Sequence, residues 1–313
     1  MKILITGSAG LIGTELTKQL LDSGHQVIGI DNFYTSDRHN IDHWIDNENY
    51  NFIEWDIQQP RKWDMDYDQI YNLACPASPV HYQRDPVYTL ETNINGVRNM
   101  LDLAEATGAV LIQASTSETY GDPHEHPQRE SYWGNVNALG PRACYDEGKR
   151  VAETMCVLSS ASTRIARIFN TYGPNMSLDD GRAVSNFICQ AINGVDITVH
   201  GDGQQTRSFC YVSDTVDGLI RLANSNITTP VNIGNPDEVT LLELAKEIIT
   251  ISNSSSQIIH QSRVEDDPAR RCPDIQKAIT TLDWRPHVSR TTGLGLCIAG
   301  FQIKLKKFND HNK

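Results

Sequence analysis

Lys2-Ile3-Leu4-Ile5-Thr6-Gly7-Ser8-Ala9-Gly10-Leu11-Ile12-Gly13 begins as an apolar run and ends on three glycines spaced three apart. Leu16, Leu20 and Leu21 follow at helical spacing, so the stretch predicts a strand, a glycine turn and a helix. Gly7 allows a tight turn, Gly10 lets backbone approach a pyrophosphate, and Gly13 lets the helix pack closely on the strand. The free N–H groups at the helix start favour an anion there. Gln26 to Ile30 predicts a second strand ending at Asp31, 24 residues after Gly7. A carboxylate at that offset meets adenosine ribose hydroxyls and repels a 2'-phosphate, which points to NAD and away from NADP.

Working outward, Asn51 to Ile57 alternates as a third strand with Asp56 near its end, where an adenine amino group could be met. Tyr34 to Tyr50 is polar and reads as surface loop and helix. Asp68 to Ala74 predicts a fourth strand, broken by Cys75-Pro76-Ala77-Ser78-Pro79 at the sheet edge where open parallel sheets bind ligands. Thr92 to Gly108 places Ile94, Val97, Leu101 and Ala104 on one helix face. Ala109 to Ala114 is a fifth strand that delivers Ser115-Thr116-Ser117-Glu118 to the same edge.

The next helix carries Tyr145 and Lys149, four residues apart and so on one face. An ammonium beside a phenol favours the phenolate, so Lys149 is expected to lower the Tyr145 pKa and ready it to take a proton from a sugar hydroxyl. Thr163 to Phe169 is a sixth strand, after which the regular alternation loosens. A helix from Ser185 to Asn193, a strand from Ile197 to His200, and a helix from Asp214 to Ala223 are expected. Pro230 to Gly234 reads as a strand rejoining the sheet, and Thr240 as the N-cap of a helix to Ile251. Arg207 falls beside the expected cleft. Arg263, Arg270 and Arg271 form a cluster suited to a diphosphate. His124 and His126 read as solvated, as do Lys304, Lys306 and Lys307.

The chain has 313 residues, 39% of them hydrophobic, enough for one large domain or two closely joined ones. A net charge of -12 argues against nucleic acid or an anionic membrane surface as partner, while leaving room for a local basic pocket. Cysteines 75, 144, 156, 189, 210, 272 and 297 include no Cys-x-x-Cys pair and read as reduced thiols. No spacing suits a metal. The strand-like start leaves no room for a signal segment, and no apolar run reaches the ~20 residues of a spanning helix, so a cytoplasmic protein is expected.

Taken together, Asn72 to Pro79, Ala114 to Glu118, Tyr120 to Pro123, Gly140 to Arg150, Arg167 to Pro174, Gln205-Thr206-Arg207 and Asp266-Asp267-Pro268 resemble the extended short-chain dehydrogenase/reductase family. Within it they resemble the UDP-glucuronate decarboxylase branch. The resemblance spans essentially the whole chain. It implies an α/β fold with a doubly wound (Rossmann) parallel sheet and a smaller α/β nucleotide-sugar-binding domain. Residues 1–170 would form the NAD domain, with later returns near 208–235, and 171–313 mainly the interleaved substrate domain.

The implied activity converts UDP-glucuronate to UDP-xylose and carbon dioxide through a UDP-4-keto intermediate, with NAD recycled. The catalytic set would be Tyr145, Lys149, Thr116, Ser117, Glu118 and Arg207, with Arg207 holding the C6 carboxylate. Sugar 4,6-dehydratases carry Asp-Glu where this chain has Ser117-Glu118, and serine is a poor acid for a departing hydroxyl, so dehydration is disfavoured. Implied cofactor contacts are Gly7, Gly10, Leu11, Ile12, Gly13, Asp31, Asn32, Asp56, Ile57, Leu73, Ala74 and Thr92, together with Tyr145 and Lys149. Implied substrate contacts are Pro79, Tyr82, Asn170, Arg182, Val184, Ser185, His200, Gln205 and Arg207, with Arg270 and Arg271 as alternatives for the diphosphate. The family also implies a homodimer. A UDP-sugar 4-epimerase and a non-catalytic NAD-binding scaffold are the competing readings. The intact Tyr145 and Lys149 oppose the second.

Overall fold

The structure, a computed structural model, describes residues 1–63, 66–262 and 270–311, with side chains described to residue 306. Arg263 and the Asp266-Asp267-Pro268 motif lie outside the described residues. Strand β1 (Lys2–Thr6) is apolar because both sheet faces are covered, and it leads through the glycine turn into α1 (Leu11–Asp22). Then come β2 (Gln26–Asp31), β3 (Tyr50–Glu54), β4 (Gln69–Asn72) and the short helices α2 (Pro79–Arg84) and α3 (Pro86–Glu91). A π-helical turn, Thr92–Gly96, runs into α4 (Val97–Thr107), which Gly108 ends in the left-handed region that glycine adopts freely. β5 (Val110–Thr116), α5 (Ala143–Leu158) and β6 (Ser162–Ile168) follow.

The later chain forms β7 (Thr171–Tyr172), α6 (Ala183–Ile192), β8 (Ile197–His200), β9 (Thr206–Ser208), β10 (Cys210–Tyr211) and α7 (Val212–Ala223). β11 (Val231–Ile233), β12 (Glu238–Thr240), α8 (Leu241–Ser252), β13 (Ile258–Gln261), β14 (Arg270–Arg271), α9 (Gln276–Leu282) and α10 (Arg290–His311) complete it.

The main sheet has seven strands in the order β11-β6-β5-β4-β1-β2-β3, and every pairing is parallel. Strand order reverses between β1 and β4, so a crevice opens at their carboxyl ends. Leu16 and Leu20 of α1 and Val216, Leu219 and Leu222 of α7 cover one face with Trp284. Val97, Met100, Leu101 and Ala104 of α4 and Ala152 and Cys156 of α5 cover the other. Each valine, leucine or methionine among them, fully buried, contributes roughly 1.5–3 kcal/mol. A separate core joins α6, α8 and α10 around Phe187, Ile188, Leu244, Ile248 and Phe301. The expected doubly wound sheet and the return of β11 are both present.

Several local expectations need correction. The third strand stops at Glu54, so Asp56 lies beyond it. The fifth strand runs on through Thr116. The segment after β2 holds two short 3-10 turns, Arg38–Asn40 and Asp42–Trp44. The helix expected from Thr92 begins as a π turn. His126 is not solvated, because its Nε2 meets Glu238 Oε2 at 3.0 Å. Nor is Lys304, whose Nζ donates to the Met176 carbonyl at 3.0 Å and whose pKa burial lowers against the opposing pull of Asp37. All seven cysteines are free thiols.

Candidate active site

At the carboxyl ends of β1, β2 and β4 the structure builds an open cleft lined by Gly7, Gly10, Asp31, Asn32, Asp56, Ile57, Leu73, Ala74 and Thr92, among others. Gly7 adopts a φ of 69°, and a Cβ there would stand 2.9 Å from the Ala74 nitrogen. At Gly13 a Cβ would fall 2.1 Å from the Gly7 carbonyl oxygen, so only glycine lets α1 approach the turn this closely. Leu11 and Ile12 open α1, and Leu11 packs against the second core.

Asp31 is tied into this turn. Its Oδ2 accepts from the Ala9 N–H at 3.0 Å, and its Oδ1 from the Phe33 N–H at 2.9 Å and the Ser36 hydroxyl at 2.8 Å. Burial raises its pKa, with those hydrogen bonds pulling the other way. Asp56 accepts from Asn32 Nδ2 at 3.2 Å and the Tyr88 hydroxyl at 2.9 Å. Gln58 Nε2 donates to the Thr92 hydroxyl at 2.8 Å and closes that wall. A glycine cradle, a strand-end carboxylate and a helix N-terminus together fit a dinucleotide.

Tyr145 and Lys149 lie on the buried face of α5, against β5. Lys149 Nζ donates to the Ala114 carbonyl at 2.9 Å and stands 5.8 Å from the centroid of the Tyr145 ring. Tyr82 stacks on Tyr145 at 5.2 Å between centroids, with planes 9° apart. The expected lowering of the Tyr145 pKa is not found. Burial drives it up, the neighbouring Cys75 adds to this, and the Thr116 hydroxyl and Arg182 only partly oppose it. The ammonium is engaged by the Ala114 carbonyl.

Thr116 ends β5 and caps a 3-10 turn, Ser117–Tyr120, its hydroxyl accepting from the Glu118 N–H at 3.2 Å. That turn aims the Glu118 carboxylate at two guanidinium groups: Arg142 Nη2 donates to Oε2 and Arg271 Nη1 to Oε1. Burial disfavours the Glu118 charge, but Arg271, Arg142 and Arg207 outweigh it and hold the carboxyl well below its usual range. Arg271 also donates from Nη2 to the Gly121 carbonyl at 3.1 Å. Arg271, one of the two arginines expected at the diphosphate, is buried against Glu118, and its Nε has no hydrogen-bond partner. Arg270, beside it on β14, is exposed. Arg207 is buried on β9, next to β14, with Nη1 donating to the Thr206 carbonyl at 2.8 Å.

The remaining expected contacts come from several elements. Pro79 and Tyr82 lie on α2. Asn170 follows β6, and its carbonyl accepts from the Cys210 N–H at 2.9 Å. Arg182 caps α6, ahead of Val184 and Ser185, and makes a fork to Asp180 at 2.5 and 2.8 Å. His200 ends β8, where its Nδ1 meets the Ser262 carbonyl at 3.0 Å, and Gln205 Nε2 donates to the His200 carbonyl at 2.7 Å. Sequence reasoning passed over Arg142 and Asp146. Their spacing of four residues on the Tyr145 helix was the available signal.

A family model described as NAD dependent epimerase/dehydratase family matches residues 3–234. The chain belongs to the NAD dependent epimerase/dehydratase family. Within this family, UDP-glucuronic acid decarboxylase 1 of Xenopus tropicalis is 51% identical over 309 residues, covering 97% of this chain and 73% of the relative. UDP-glucuronic acid decarboxylase 3 of Arabidopsis thaliana is 50% identical over 310 residues, covering 97% and 90%. Among solved epimerase/dehydratase structures, UDP-glucuronic acid 4-epimerase from Bacillus cereus, in complex with UDP-glucuronic acid and NAD, superposes with a TM-score of 0.85 at 27% identity, covering 97% of this chain and 100% of that one.

Proposed function

We infer that this chain is an NAD-dependent UDP-glucuronate decarboxylase that forms UDP-xylose and carbon dioxide. Half of its residues match enzymes of that name over nearly its full length. The observation in the site that carries the reading is the group of guanidiniums on Glu118, supplied by Arg142 and Arg271 and backed by Arg207, at the strand end that also bears Thr116. Net positive charge in a cleft of an acidic protein suits an acidic sugar.

NAD, when bound, supplies the acceptor for the C4 hydride and its later return. Tyr145 exchanges the proton of the C4 hydroxyl, with Thr116 as its second contact and Lys149 below the ring. Oxidation at C4 leaves the sugar carboxylate beta to a carbonyl. Carbon dioxide then departs because the C5 electrons pass into an enolate. Arg207 holds the carboxylate, Arg271 and Arg142 fix Glu118 beside it, and Ser117 and Glu118 manage the proton that returns to C5. Gly7, Gly10, Gly13 and Asp31 hold the cofactor. Arg182, Val184, Ser185, Gln205 and Arg270 face the nucleotide and diphosphate.

Residues 1–170 with β11 act as the cofactor domain, and the core of α6, α8 and α10 as the substrate domain. Exposed Val87 on α3 and Val151 and Leu158 on α5 support a homodimer formed through these helices. No helix among the described residues is long and apolar enough to cross a membrane. The free thiols support a reducing, cytoplasmic setting. Sugar-nucleotide analysis after incubation with UDP-glucuronate tests the reading: UDP-xylose with carbon dioxide is expected, and UDP-galacturonate as sole product overturns it in favour of a 4-epimerase.

A further inference from the structure

Asp146 directly follows Tyr145 on α5, and its side chain is only 9% exposed. Its Oδ2 lies 3.9 Å from Arg142 Nε, while Arg142 Nη2 is given to Glu118. Its Oδ1 is buried with no hydrogen-bond partner, as is the Tyr82 hydroxyl, whose electrostatic neighbours include Asp146. One guanidinium is therefore shared by two buried carboxyls of unequal footing. Glu118 has Arg142 and Arg271 as direct partners, and Asp146 has the remote flank of Arg142 alone. A buried carboxylate oxygen without a donor is costly when charged and tolerable when protonated.

The groups that face Asp146 are Glu118 from the turn after β5, Arg142 at the start of its own helix with Cys144 and Glu147 on it, Arg271 from β14 and Tyr82 from α2. Burial and the Glu118 charge push its carboxyl up to about 7, against the pull of Arg142 and Arg271. Two carboxyls whose environments drive their titrations apart divide the roles between them. With Asp146 neutral, three guanidiniums (Arg142, Arg207 and Arg271) face the single charge of Glu118. With Asp146 ionised, one of those positive charges is cancelled.

We propose that Asp146 is a positioning residue for acidic substrates: protonated, it leaves the arginine group able to attract a sugar carboxylate, and ionised, it repels that carboxylate. The inference rests on the decarboxylase reading, and it concerns discrimination between charged and neutral UDP-sugars. The sugar carboxylate and diphosphate keep constant charge from pH 6.5 to 8.5, so the protein supplies any change.

The test is the ratio of the KM for UDP-glucuronate, from carbon dioxide release by the NAD-loaded enzyme, to the inhibition constant of UDP-glucose, which shares the nucleotide and lacks the carboxylate. In the wild type this ratio is expected to rise about tenfold from pH 6.5 to 8.5, the size of effect a neighbouring charge has on an ionising group. In Asp146→Asn, an isostere of the neutral acid, it is expected to stay flat at the low-pH value. Asp146→Ser is expected to match it, and UDP-glucose inhibition reports an intact site in each variant. An equal rise in Asp146→Asn, or a flat wild-type ratio, overturns the inference. Absence of carbon dioxide release from the wild type overturns instead the function on which it rests.

Discussion

Arg271 of β14 and Glu118 of the turn after β5 form a buried ion pair across 153 residues of chain. It ties the end of β5 to the later chain, beside Arg207 on β9. Arg271 gives one arm to Glu118 and one to the Gly121 carbonyl, so its planar fork matters as well as its charge. Arg271→Ala leaves the buried Glu118 Oε1 without its donor, with only Arg142 remaining on the carboxylate, and is expected to cost about 3 kcal/mol of stability. Arg271→Lys retains the charge without the fork. It is expected to fold and bind UDP-glucose, yet to release carbon dioxide about 10²-fold more slowly. Denaturant midpoints and carbon dioxide kinetics, measured side by side, check both; full activity in the lysine variant would show that charge alone suffices.

The glycine turn makes a sharper distinction than its sequence suggests. At Gly13 a methyl group would meet the Gly7 carbonyl at 2.1 Å, whereas at Gly10 the nearest atom would be that same oxygen at 3.3 Å. Gly13→Ala is therefore expected to disturb the packing of α1 on β1 and destabilise the fold by about 3 kcal/mol, the upper end of the usual range for overpacking. Gly10→Ala is expected to keep near-native stability while losing bound NAD, because only the cofactor needs the space. Melting temperature and NAD content after gel filtration separate the two effects. Equal loss of stability in both variants would refute the division of labour.

Local signals in the sequence carried most of the architecture. The order of β1, the glycine turn, α1 and β2 follows from periodicity and turn chemistry within 31 residues, and Tyr145 and Lys149 share a face by spacing alone. The partner of Glu118 was not legible in this way. β14 is two residues long, too short to show a period, and its register against β9 depends on contacts with residues far away in the chain. In the sequence Arg271 therefore reads only as one of an arginine cluster suited to a diphosphate. The Tyr145 pKa escapes the sequence for a related reason: the spacing to Lys149 is visible there, but burial of the phenol and the bond from Lys149 to the Ala114 carbonyl are not.

Stability should depend on pH with opposite signs for the two site carboxyls. Glu118 is held below its unfolded pKa, so its contribution is present above that value and is lost as pH falls through the folded one. Asp146 is raised to about 7, so the folded chain binds more protons than the unfolded chain, and stability falls as pH rises from the usual carboxylate value of about 4 to 7. Asp146→Asn is expected to abolish that second loss and to gain roughly 1–3 kcal/mol over the wild type at pH 8, with little difference at pH 4.5. Urea unfolding at the two pH values measures it. A variant whose stability tracks the wild type at both would refute the raised titration.

The Tyr145 phenol lies between the Tyr82 ring, which stacks on it, and the Thr116 hydroxyl, which pulls its pKa down. Tyr145→Phe keeps the stacked ring and removes only the oxygen, so NAD content and UDP-glucose affinity are expected to hold while carbon dioxide release falls about 10²–10⁴-fold. Burial keeps the free enzyme's phenol protonated, so a working proton acceptor must gain its charge stabilisation from the complete site. Lys149→Met removes the ammonium and its bond to the Ala114 carbonyl. If Lys149 supports the phenolate only once the site is filled, this variant should slow turnover at saturating substrate and leave the near-ultraviolet tyrosine titration of the free protein unchanged. A shift in that titration without ligand would instead mean that the ammonium already acts on Tyr145 in the empty cleft.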